Sequence, residues 1–171
     1  MKTLSFSIVF LSIFLLHSCA SVHKTGVSQE NIPSDISQAK YKVLFTEINF
    51  DQTVSKHVAS VHNNAAHKHI SKKMGDHSLF IPESELSKES YADYTTYRYV
   101  LINRITKKVT KTHYRTGPNG MKMQDGKTDS YVTEFYWVDR LTGKEYPHVK
   151  GTTMPLYMLK AIVNKVASNQ S

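Results

Sequence analysis

The 171-residue chain has one cysteine, Cys19. A lone cysteine excludes an internal disulfide and any zinc site built on several thiolates. No apolar run reaches the roughly 20 residues that a helix needs to cross about 30 Å of hydrocarbon. The G-x-S-x-G elbow, the S-x-x-K motif with its usual companions and the glycine-rich phosphate loop are all missing. Paired carboxylates for glycoside cleavage have no better support, because Glu83, Glu85 and Glu89 cluster in a polar stretch where solvated charge is the ordinary outcome. Acidic residues are absent between Asp93 and Asp125. These gaps leave no frame for catalysis, and the chain is expected not to be an enzyme and to carry no cofactor.

What is present begins at the N-terminus. Lys2 gives a positive start, and Leu4 to Leu16 is apolar apart from Ser5, Ser7 and Ser12. A charged start followed by a short apolar run is the pattern of an export signal. The next residues, Leu16-His17-Ser18-Cys19, resemble the lipobox of bacterial lipoproteins, with Leu three positions before the cysteine and a small residue just before it. His17 departs from the pattern, which has a small or apolar residue there. The resemblance implies cleavage between Ser18 and Cys19 and lipid attachment at Cys19, with fatty acyl chains of the palmitate class. Two or more such chains, at about 0.8 kcal/mol per buried methylene, hold a protein on a membrane. Ala20 stands where an Asp would favour inner-membrane retention, and Ser21 to Gly26 hold no acidic cluster. The resemblance therefore implies an outer-membrane lipoprotein on the periplasmic face.

The layout follows as a signal peptide over 1–18, a lipidated Cys19 with a flexible polar tether over 19–40, and one domain over 41–168. The chain carries 22 Lys and Arg against 14 Asp and Glu. The acid-free stretch holds Arg98, Arg104, Lys107, Lys108, Lys111, Arg115 and Lys122, with His113 among them. An exported protein rarely meets nucleic acid, so this block points to anionic envelope components or acidic protein patches. Its bland alternative is a solvated basic sheet face.

Periodicity supplies the elements. Residues 42–50 read as a strand, and Asp51 offers an N-cap for a helix over 52–74. Val54, Val58, Val61 and Ala65 form its apolar stripe, and Gly75 closes it after Lys72 and Lys73. Residues 77–82 form a short strand, and 83–92 a loop. The segments Ile102–Lys108 and Val138–Lys144 resemble each other over seven residues, and each reads as a hairpin turn. The hairpins would pair 94–104 with 108–116, and 129–139 with 144–150. Thr142-Gly143 suits a turn whose glycine takes positive φ. Residues 116–129 read as a long loop, and 154–167 as a helix burying Leu159, Ile162, Val163 and Val166. In the first hairpin Arg98 and Arg104 share a face with Val100 and Ile102, while Tyr97, Tyr99 and Leu101 would point inward. The expected fold is α+β, a mainly antiparallel sheet of two β-hairpins and N-terminal strands with two helices on one face.

The chain holds three other constellations. His57, His62, His67, His69 and His77 crowd the first helix, but none pairs at the i, i+4 spacing of a helical zinc site, so His113 or His148 would have to complete one. Met121 and Met123 offer thioethers that suit Cu(I). Tyr91, Tyr94, Tyr97, Tyr99, Tyr131, Phe135, Tyr136 and Trp137 fit core and cross-strand packing. The leading expectation is a membrane-anchored periplasmic lipoprotein, a non-enzymatic accessory subunit of an envelope assembly. It would bind a protein partner or anionic component through Arg98, Arg104, Lys107, Lys108, Lys111 and Arg115. The alternative is a lipoprotein that binds a metal or small ligand through its histidine-rich helix.

Overall fold

The computed structural model describes residues 26–38 and 41–169. The expected signal peptide, Cys19 and Ala20 lie outside the described residues.

Strand β1 (Val43–Thr46) is buried at all four positions, as a strand covered on both faces should be. Helix α1 (Lys56–Met74) follows. Its N-cap is Ser55, whose hydroxyl accepts the Val58 N–H at 3.3 Å. Asp51 instead accepts from the N–H and the hydroxyl of Thr53, at 2.9 and 2.8 Å, in a separate turn. The helix therefore starts four residues later than its sequence suggests. Gly75 closes it at φ +53°. Strand β2 (Ser78–Ile81) then runs parallel to β1, with Val43 opposite Ser78 and Thr46 opposite Ile81.

Two long strands follow, β3 (Tyr99–Thr116) and β4 (Lys122–Asp139), paired antiparallel along their whole length. Short strands β5 (Lys144–Glu145) and β6 (Val149–Thr152) both pair with β4, and helix α2 (Pro155–Ser168) ends the fold. Among the described residues the sheet order is β2-β1-β3-β4-β5, with β6 also on β4. The class is α+β, as the sequence implies.

Of two expected breaks in the chain, one does not exist and the other is short. The turn over Ile102–Lys108 is continuous strand with a bulge between Ile105 and Lys107. Its look-alike at Val138–Lys144 does turn, because Gly143 takes φ +72°. Lys107 stands at the matching place, where a side chain disfavours that conformation, and its neighbours Ile105, Thr106 and Val109 favour extended backbone. The 116–129 loop shrinks to a tight turn, in which Gly117 N–H donates to Met121 O at 2.8 Å and Gly120 N–H to Gly117 O at 3.0 Å. The two hairpins thus share β4, and the first is far longer than expected.

The main core lies between one sheet face and both helices. Phe45, Tyr99, Leu101, Phe135 and Trp137 of the sheet meet Ile70 and Met74 of α1 and Leu159, Ile162, Val163 and Val166 of α2. The α2 stripe matches expectation. The α1 stripe does not: Ala66, Ile70 and Met74 are buried, whereas Val58 and Val61 are exposed, because only the C-terminal half of α1 lies over the sheet core. A smaller cluster of Leu44, Val100 and Ile81 covers the opposite face. Tyr97 packs there and not with Tyr99. Arg140 holds the 83–97 segment over this cluster, donating to Leu86 O, Tyr91 O and Tyr97 O at 3.0, 2.8 and 3.1 Å.

Residues 26–38 are not a free tether. Ile32 and Ile36 enter the main core, and the Asn31 amide donates to Pro147 O and His148 O at 3.0 and 3.2 Å. Two isoleucines four apart suffice to dock a stretch that is otherwise polar.

Candidate functional site

The distal part of β3 and β4 is the feature most distinct from the body. Among the described residues, β3 has no strand neighbour except β4 beyond Leu101. Among them, too, β4 has none except β3 beyond Thr133 toward the turn. The result is a two-stranded ribbon from Lys107–Val132 to Thr116–Lys122. At about 3.3 Å per residue it extends about 30 Å.

Side chains directly opposite one another share a face. The bulge at Thr106 shifts the alternation on β3, so Lys107, Val109, Lys111 and His113 fall on one face with Val132, Ser130 and Thr128. The contact between His113 Nε2 and Thr128 Oγ1, 2.8 Å, lies on that face. Arg115 opposes Met123 on the same side. The other face carries Lys108, Thr110, Asp129 and Tyr131 and looks toward the helices, since Tyr131 O–H meets Thr53 Oγ1 at 3.1 Å.

The expected basic site divides accordingly. Arg98 is not part of it. Its guanidinium forms a two-pronged pair with Asp139, at 2.8 to 3.1 Å, and donates to Asp35 at 3.1 Å and Tyr41 O–H at 2.8 Å. Tyr99 donates to the other Asp35 oxygen. Burial pushes the Asp139 carboxyl pKa up, but hydrogen bonds from Arg98, Thr142 and Leu141 outweigh it and leave the pKa lowered. This network ties Asp35 to the start of β3 and the end of β4. Arg104 lies over the Tyr136 ring and donates to its hydroxyl. Lys108 pairs with Asp129 at 2.7 Å on the helix-side face. That hydrogen bond raises the lysine pKa and, with a bond from Thr110, lowers that of Asp129. Arg115 reaches Asp125 at 3.7 Å. Lys107 and Lys111 make no ion pair among the described residues. The acid-free block is therefore acid-free along the chain only; β4 brings Asp125 and Asp129 across to it.

A second feature was not foreseen. A cleft of about 470 Å³ opens between the ribbon root, the start of α1 and the start of α2. Phe50, Val54, Val58, Tyr131, Met154 and Tyr157 give it a mainly apolar wall. Val58, Met154 and Tyr157 are all exposed. The valine stripe was the sequence signal for it, but a stripe does not say which half of it the sheet covers.

The histidines separate. His62 Nδ1 lies 2.9 Å from Val58 O in its own helix, His67 stacks on Phe80, and His69 Nε2 meets Asn164 at 3.1 Å. Among the described residues no three His, Cys, Asp or Glu side chains converge to hold a metal ion. Met121 is exposed at the ribbon turn, and the Met123 sulfur lies over Gly117.

No protein-family model matches the sequence. No curated protein matches it either. Among solved structures, the fold is similar to the PelC dodecamer from Paraburkholderia phytofirmans, at 17% identity and a TM-score of 0.36 over 84% of this chain and 93% of that one. A point variant of the same dodecamer overlaps at 16% identity and a TM-score of 0.32, covering 75% of this chain and 85% of that one.

Proposed function

We propose that the chain is a lipid-anchored periplasmic lipoprotein of the outer membrane and a non-enzymatic accessory subunit of an envelope assembly. The lipobox-like Leu16-His17-Ser18-Cys19 supports the anchor. The observation that carries the binding role is the ribbon, an arm of two strands whose outer face presents Lys107 and Lys111 without ion pairs among the described residues. Lysines held on a pre-formed strand face an acidic protein patch with little ordering to be done on binding. On the arm's other face Lys108 is neutralised by Asp129 within the ribbon, and Tyr131 meets Thr53 of the body.

The test follows from this division of faces. Lys107→Ser with Lys111→Ser abolishes co-purification of the envelope partner, and Lys108→Ser, on the opposite face, retains it. Equal retention by both variants would end the reading. The anchor is checked separately by metabolic labelling with palmitate, which wild type incorporates and Cys19→Ser does not.

A further inference from the structure

Among the described residues, six of the nine exposed large apolar side chains lie at two places, the cleft wall and the ribbon tip. The tip carries Tyr114, Met121 and Met123 within one turn of chain. Tyr114 and Met121 are each 64% exposed, although the tip has no core to build. Cationic side chains alternate with them: Arg115 opposes Met123, and Lys122 adjoins Met121 and opposes Thr116. Asp125, paired with Arg115, is the acidic residue of the tip. Lysine and arginine stems extend along apolar surface and keep their charges at its rim.

We propose that the ribbon tip docks on an anionic lipid bilayer, with Tyr114, Met121 and Met123 entering the interface and Arg115 and Lys122 meeting lipid phosphates. Apolar tips with a basic rim bind where buried apolar area and headgroup charge act together. An acidic protein would match the charges but would leave two methionines and a tyrosine at the far end of an arm without a use. The turn is also suited to shallow entry. Gly117 and Met121 close it through the 2.8 Å hydrogen bond, so one of its backbone polar pairs needs no water.

The inference rests on the anchored reading for what brings the arm near a bilayer. Six residues lie between Cys19 and Gly26, a reach of at most about 25 Å, and the ribbon is of similar length. It would give the protein a second foothold, independent of the lipid.

The experiment uses the full chain carrying Cys19→Ser and Asn119→Cys, so that the turn holds the sole thiol and no lipid is attached. An environment-sensitive dye on residue 119 is followed as vesicles are added. On vesicles of phosphatidylcholine with phosphatidylglycerol, the emission shifts to the blue and is quenched by bromine on the acyl chains. On phosphatidylcholine alone neither occurs. Tyr114→Ser with Met121→Ser removes the acyl quenching, and Arg115→Ser with Lys122→Ser removes the preference for phosphatidylglycerol. Emission from Trp137, the chain's sole tryptophan and fully buried, verifies that each variant keeps its core. A dye that stays in water on both vesicles overturns the proposal, as does an equal shift on both. Either outcome leaves the partner pull-down and the palmitate labelling to be read on their own terms.

Discussion

Arg98 shows how much a single residue changes meaning between sequence and fold. In a basic stretch it reads as one more surface cation, but the structure gives it two carboxylates, a tyrosine hydroxyl and the Tyr99 ring. Removing the Asp139 charge takes the two-pronged partner from a mostly buried guanidinium and leaves it Asp35 alone, at a typical loss of about 3 kcal/mol. Asp139→Asn should therefore lower stability to urea by about that amount at neutral pH. The pH dependence has a definite sign. Because the folded Asp139 pKa is lowered, its contribution is complete above the unfolded value of about 3.9 and is lost as pH falls through the folded one. The gap between wild type and Asp139→Asn should narrow in urea melts below about pH 4. A constant gap would show that the pair is not what Asp139 contributes. Asn103 is a neutral counterpart. Its buried amide donates to Glu47 O at 2.7 Å and accepts the Asn49 N–H at 2.8 Å, fixing the loop beside the cleft. Neither residue's role was legible along the chain, since the partners of Arg98 stand 41 and 63 positions away and those of Asn103 54 and 56.

At the scale of the element, the ribbon carries the difficulty. Two strands without further neighbours are marginally stable in water, because alternate backbone N–H and C=O groups of each strand face solvent and little apolar area is covered. Hydrogen exchange should therefore be about 100-fold faster for amides of 108–116 and 122–130 than for those of 99–103 and 134–138, where the helices cover the sheet. Uniform protection would mean that the ribbon is held by something beyond its own pairing. Lysines along β3 also guard its bare edge against pairing with another extended chain. The strands themselves were legible in the β-branched and aromatic runs. Their length was not, because a charged seven-residue stretch resembled a true turn in everything but the glycine. Helix α2 was legible to within a residue at each end, since its apolar stripe and first-turn proline agree with the packing.

For the whole molecule, the segment at 26–38 decides where the folded body begins. Ile36 is 1% exposed and Ile32 3%, both in the main core. Ile36→Ala should cost about 3 kcal/mol, the usual loss for a truncated buried isoleucine. Urea unfolding measures this directly, and an unchanged midpoint would return the segment to the status of a tether. The fold class was legible because strand and helix periods differ. The association of this strap with β5 and β6 was not, for its polar composition concealed two core residues. The site was legible in part: the sequence located the basic arm, the fold removed Arg98 from it and turned Lys108 away, and the apolar cleft emerged only when α1 was seen to overhang the sheet.

The bulge at Thr106 has a consequence for how this arm can vary. A strand shows alternate residues to alternate sides, so one inserted residue changes the phase of everything beyond it. Because the bulge absorbs Thr106, Lys107, Lys111 and His113 look outward; with Thr106 paired opposite Val132 in regular register, they would look inward and Lys108, Thr110 and Thr112 would take their place. Composition and net charge would not change. The arm's outer chemistry is thus set by a parity, which ironing out one bulge inverts while leaving every residue in the chain.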